Sequence, residues 1–136
     1  MTYAWGKRSL DRLGTVQPVL AELFHRVIKR ADLPFDLTVT AGHRGRAEQD
    51  AAVAAGASRL RWPNSKHNKT PSEAVDVVPL VGGAASWDWA HYRALAPLVK
   101  AEWAAMEAEG MTLGWRLEWG GDWQRFPDGP HWQVVR

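Results

Sequence analysis

A chain of 136 residues, 46% hydrophobic and 24% charged, suits one domain with a real core, and its composition excludes a disordered chain. A net charge of +2 without a dense lysine/arginine run gives no ground for nucleic-acid binding, and no apolar stretch approaches the ~20 residues of a membrane span. Cysteine is absent, so disulfides cannot staple the fold and any zinc must be held by nitrogen and oxygen.

The first residues, Met1 to Arg8, lack a signal-peptide apolar core, so the expectation is a soluble chain made in the cytoplasm. Ser9 is placed to cap a short helix over 10–13, which Gly14 ends. Pro18 suits the first turn of a second helix over 18–29, where Val19, Leu20, Leu23, Phe24, Val27 and Ile28 recur at helical spacing. Residues 35–40 are rich in β-branched side chains and read as a strand. Gly42 and Gly45 bracket a turn holding His43 and Arg44, and 46–55 is an alanine-rich helix closed by Gly56.

Residues 58–70 look irregular, and 74–78 reads as a second strand that Pro79 helps to end. After a glycine-containing link over 80–86, an apolar stripe from Trp89 through Tyr92, Leu95, Val99, Trp103 and Met106 predicts a helix to Glu109. Pro97 should kink that helix or divide it. Residues 113–119 and 123–126 are expected to pair as strands around Gly120-Gly121-Asp122, and 131–135 forms a last short strand. This order predicts an α+β fold: one domain over 1–136, with a short antiparallel sheet packed against helices. The nine tryptophans read most simply as core filling, with a sugar- or peptide-binding groove as the sharper alternative.

Four residues invite chemistry. Asp76 sits inside an apolar strand, where a charge is costly unless paired with arginine or bound to metal. His67 lies in a polar irregular segment and His131 follows a Gly-Pro turn; alone, each has an ordinary reading as a solvated or packed histidine. Together the three could hold one zinc ion and leave a position open for water. Asp128 precedes His131 by three residues, and across a tight turn its carboxylate can face that open side. There it could take a proton from water and pass it to a departing amine; otherwise it is an Asp-Gly turn residue. The local motif H-E-x-x-H is absent, so spacing alone does not bring these residues together.

Several segments, in order, carry a resemblance: Lys7-Arg8-Ser9-Leu10-Asp11-Arg12-Leu13, Thr38-Val39-Thr40-Ala41-Gly42-His43-Arg44, Ser65-Lys66-His67 with Ala74-Val75-Asp76, and Trp119-Gly120-Gly121-Asp122-Trp123 with Asp128-Gly129-Pro130-His131. Nearly the whole chain resembles the zinc peptidases that cut peptidoglycan stem peptides. That group contains the phage L-alanyl-D-glutamate endopeptidases (endolysins) and the VanY-like D-alanyl-D-alanine carboxypeptidases. The resemblance implies a zinc site at the sheet, with His67, Asp76 and His131 as ligands and Asp128 as general base. It implies that Arg44 steadies the scissile carbonyl or its oxyanion, where charge develops as water attacks. An arginine bonded to neighbouring carbonyls of its turn is the plainer reading of Arg44. Ser65 is expected to help hold the zinc loop, and His43 occupies a variable position and is not counted as a ligand. The family spacing from first histidine to aspartate is commonly shorter; here 68–73 forms a longer loop that includes Glu73 and reshapes the groove.

The expected function is therefore zinc-dependent hydrolysis of a stem-peptide bond, L-alanyl-D-glutamate by preference, by a phage or prophage lysin acting as a monomer. It would act in the periplasm or wall after a separate protein has made a membrane hole, with neither nucleic acid nor membrane insertion involved. The alternatives are a D-alanyl-D-alanine carboxypeptidase and a non-catalytic peptidoglycan-binding module.

Overall fold

Alternation along the strands sorts the side chains of the sheet into two sets. One set, Leu37, Val39, Val75, Val77, Trp132 and Val134, joins the hydrophobic core; the other, Asp76, His131, Gln133 and Glu118, points to the opposite face. In the computed structural model, which describes residues 2–136, the strands are β1 (Asp36–Ala41), β2 (Ala74–Val81), β3 (Ala84–Ala85), β4 (Arg116–Trp119) and β5 (His131–Val135). They form an antiparallel sheet in the order β1-β2-β5-β4, and β3 pairs with the far end of β2. The helices are α1 (Lys7–Leu13), α2 (Pro18–Ile28), α3 (Arg46–Ala54) and α4 (Trp89–Ala108). Their apolar stripes, with Leu20, Leu23, Phe24 and Val27 on α2 and Leu95, Val99, Trp103 and Met106 on α4, complete the core. The α+β expectation holds.

Local expectations hold less evenly. The first helix begins at Lys7 with Gly6 as its N-cap, so Ser9 lies inside it. The Ser9 hydroxyl instead accepts from the Val39 amide of β1 at 2.9 Å, which satisfies a backbone donor at the sheet edge. Pro79 does not end β2, which continues to Val81. Its carbonyl accepts from the Ser86 amide, so its missing N–H lies on that side and costs no bond to β1. Gly82 and Gly83, both at positive φ, then make a two-residue hairpin turn into β3, a strand absent from the sequence reading. Pro97 does not divide α4, which runs unbroken from Trp89 to Ala108: it is exposed, so the carbonyl it leaves unpaired can face water.

The expected pairing of 113–119 with 123–126 is wrong. β4 starts only at Arg116, after Leu113 and Gly114 turn the chain at positive φ, and it pairs with β5. Residues 123–126 form no strand. A 3-10 turn, Gly120–Asp122, leaves β4, and the Asp128 amide donates back to the Gly120 carbonyl at 2.9 Å. The whole segment between Asp122 and His131 is thereby a loop clasped to the end of β4.

Candidate metal centre

The sheet register builds half of the site. Asp76 on β2 lies directly opposite His131 on β5, so both side chains leave the same face. The third residue comes from the loop before β2. Ser65 caps a 3-10 turn over Lys66–Asn68: its hydroxyl accepts from the His67 amide, and the Asn68 carboxamide oxygen accepts from the Ser65 amide. Ser65 thus holds the loop as expected, and His67 is almost fully buried beside Asp76.

Hydrogen bonds set both imidazoles. His67 Nδ1 lies 2.8 Å from the Gly42 carbonyl, which can only accept, so Nδ1 carries the proton and Nε2 keeps its lone pair. Gly42 needs its missing side chain, because a Cβ there would lie 2.6 Å from the Arg12 carbonyl and 2.5 Å from Thr15 Oγ1. His131 Nε2 lies 2.8 Å from Gln133 Oε1, and Gln133 Nε2 donates to Glu118 at 2.7 Å, which orients that amide. His131 Nδ1 is therefore the free nitrogen. The two free nitrogens each lie 3.3 Å from Asp76 Oδ1. One ligand atom from each of the three residues lies within 4.8 Å of the others.

This arrangement fits a cation. Three lone pairs converge with no proton assigned between them, and His67 Nε2 and Asp76 Oδ1 are buried without a hydrogen-bond partner. Ligands at ~2.0–2.1 Å from a tetrahedral zinc sit ~3.4 Å from one another, close to the 3.3 Å between each free nitrogen and Asp76 Oδ1. Electrostatics points the same way. Burial would raise the Asp76 carboxyl, but the proximity of His131 and His67 outweighs it and holds the group well below the carboxylate range. Burial would lower His131, and the contact with Asp76, aided by Gln133, turns its net shift upward. The cluster is a place that stabilises positive charge.

Arg44 and Asp128 line the same cavity, of about 530 Å³, as His67 and His131. The Arg44 guanidinium donates to Asp76 Oδ2 at 3.0 Å, so its side chain bonds a carboxylate rather than the carbonyls of its turn. Its backbone amide donates to the His67 carbonyl at 2.8 Å. Asp128 is half-buried, and its carboxyl is raised, first by burial and then by the Asp76 charge, against the pull of His131, His67 and Arg44. Its turn is clamped from three sides: Trp119 Nε1 donates to the Gly129 carbonyl at 2.7 Å, the Tyr92 ring abuts Gly129, and Gly120 lies against Asp128 and His131. Trp119 also stacks on Trp132, with centroids 5.6 Å apart.

Other candidates fall outside the cluster. Glu73 pairs with Lys66 at 3.2 Å, and His43 reaches Thr70. Trp5, Trp103, Trp119 and Trp132 fill the core, while Trp123 lines the cavity 5.1 Å from the His131 ring. The core-filling reading thus holds for those four, and Trp123 is the tryptophan placed at the cavity. Sequence reasoning missed Gln133 and Glu118. It also missed a buried chain in which Asn68 donates to the Arg44 carbonyl and to Gln49, and Gln49 in turn donates to Ser58 and the Leu60 carbonyl. Gln133 was within reach, since it lies two residues after His131 on the same face of β5.

Comparison with known proteins points to one family. The family described as phage L-alanyl-D-glutamate peptidase matches residues 1–133. The L-alanyl-D-glutamate peptidase of Escherichia phage T5 is 31% identical over 131 residues, covering 94% of this chain and 87% of that protein. The peptidoglycan L-alanyl-D-glutamate endopeptidase CwlK of Bacillus subtilis (strain 168) is 29% identical over 135 residues, covering 87% of this chain and 77% of that protein. The crystal structure of the Serratia marcescens L-Ala D-Glu endopeptidase ChiX superposes with a TM-score of 0.69 at 30% identity, covering 97% of this chain and 90% of that one.

Proposed function

Because the chain belongs to the phage L-alanyl-D-glutamate peptidase family, we propose that it is a zinc-dependent peptidase cutting the L-alanyl-D-glutamate bond of peptidoglycan stem peptides. The observation that carries this reading is the convergence of three lone pairs at buried Asp76, within reach of a cavity that also holds a carboxyl with a raised proton affinity. His67 Nε2, Asp76 Oδ1 and His131 Nδ1 would hold the ion. Zinc supplies Lewis acidity toward water and toward a carbonyl oxygen.

The chain's own groups do the rest. Asp128 takes a proton from the attacking water and returns it to the departing glutamate nitrogen, a task suited by its raised carboxyl. Arg44 orients Asp76 through its bond to Oδ2. Its remaining N–H groups, at the cavity wall, steady the oxygen on which charge develops. Gln133 and the Gly42 carbonyl keep the imidazole protons turned away from the ion. A role in host lysis is part of this proposal, in keeping with the phage source of one relative. Among the described residues no helix is long and apolar enough to cross a membrane. Passage to the wall through a hole made by a separate protein is part of this proposal.

The test is digestion of purified peptidoglycan by the zinc-loaded protein, with a chelator control and mass spectrometry of the products. Chelator-sensitive release of peptides that begin with D-glutamate is the expected result. Release of D-alanine alone would transfer the chemistry to a carboxypeptidase. Binding without cleavage would leave a wall-binding module.

A further inference from the structure

Four cations line the cavity beside the candidate metal centre: Arg44, Arg59, Lys66 and Arg125. Two are already engaged, Arg44 with Asp76 and Lys66 with Glu73. Among the described residues, Arg59 has no carboxylate partner and no hydrogen-bond acceptor. Its guanidinium instead stacks on the ring of Phe126, with Cζ 3.3 Å from the ring centroid. Phe126 is an unusual residue in its own right. It is 58% exposed, so core packing does not explain it, and its φ of 53° lies in the left-handed region that bulky side chains rarely adopt. What this conformation achieves is to hold the face of Arg59 while leaving the guanidinium edge free. A stacked guanidinium with a free edge is preorganised to bind a carboxylate through two parallel hydrogen bonds.

The bond assigned above has such a carboxylate next to it. Glutamate carries two carboxyl groups, and only one can continue the peptide. Whichever is used, the other remains an anion a few bonds from the scissile nitrogen. We propose that Arg59, held by Phe126, binds the free carboxylate of the glutamate residue and so selects substrates in which that group is ionised rather than amidated. This inference rests on the proposed peptidase reading. It names Arg59 as a specificity residue and Phe126 as a positioning residue acting through it.

The test uses two synthetic L-alanyl-D-glutamyl peptides, one with the free carboxylate and one with a carboxamide in its place, cleaved by the zinc-loaded protein. The wild type is expected to prefer the carboxylate by about tenfold or more in kcat/KM, the range of one charge-assisted pair. Arg59→Gln should bring that ratio close to one, with the loss in KM rather than kcat. Phe126→Leu should lower the ratio part of the way, because the guanidinium is then no longer held. Arg125→Gln removes an equal charge from the same cavity and should keep the preference. An Arg59→Gln ratio equal to that of the wild type would overturn the proposal, and so would an equal loss in Arg125→Gln, which would mark a general field rather than a contact. Cleavage of neither peptide by the wild type would overturn the peptidase reading itself, a result distinct from cleavage of both at equal rates. Zinc content and thermal midpoint, measured for each variant, show that it is folded.

Discussion

His131 has one nitrogen for the candidate metal and one for the protein, and Gln133 decides which is which. Gln133 can do so because Glu118 accepts from its amide nitrogen and leaves only its oxygen to face the ring. Replacing Gln133 with Leu should therefore weaken zinc binding about 10- to 100-fold, the usual cost of losing such an outer partner, and competition titration with a chelating dye would read it. Asp128 is separable from metal holding. Asp128→Asn should keep its zinc content and thermal midpoint but lose about 10²–10⁴-fold in turnover, as expected for a lost general base. Full lytic activity in that variant would remove Asp128 from the mechanism. Of these residues, His67, Asp76, His131, Asp128 and Arg44 were legible from motifs set in order along the chain. The Arg44–Asp76 bond was not, because a turn arginine and a strand aspartate 32 positions apart share no local pattern.

Elements place these residues through close approaches that only glycine permits. At Gly120 a Cβ would overlap the Asp128 carbonyl and lie 3.0 Å from the His131 Cβ. Gly120→Ala should push the loop away from β5, lowering stability by about 1–3 kcal/mol and activity with it; thermal melting and zinc content would register both. The expected 113–119/123–126 hairpin failed at this same point. The glycine pair reads locally as a strand turn, but its actual partner is the Asp128 backbone, whose approach no periodicity reports. Elsewhere, Arg26 on α2 donates to Glu109, the residue capping the C-terminal end of α4, and its hydrogen bond holds that carboxyl below its ordinary value. A depressed carboxyl stabilises the fold at neutral pH, and that contribution is lost as pH falls through the folded-state value. Glu109→Gln should thus lower the thermal midpoint modestly at pH 7, with the difference from wild type vanishing in acid below the ordinary glutamate range.

For the molecule as a whole, the candidate centre joins parts that are distant in the chain: the loop before β2, β2 itself and β5. An ion that binds only the folded arrangement stabilises the entire domain, by about 2.7 kcal/mol when its free concentration is one hundred times Kd. Zinc should raise the thermal midpoint by several degrees, a chelator should reverse the rise, and Asp76→Asn should abolish it. A midpoint indifferent to zinc would argue against the site.

The sequence alone determined the class of the fold, most element positions and the identity of the three candidate ligands. These follow from hydrophobic period, cap and turn residues, and a family pattern spread along the chain, all of which are written in local order. The tertiary structure alone decided the partner of β4, the tautomer of each imidazole, the engagement of Arg44 with Asp76 and the stacking of Arg59 on Phe126. Each of these depends on which atoms face one another across segments far apart in sequence. Such facing is set by strand register and by backbone close approach, and no local window contains either.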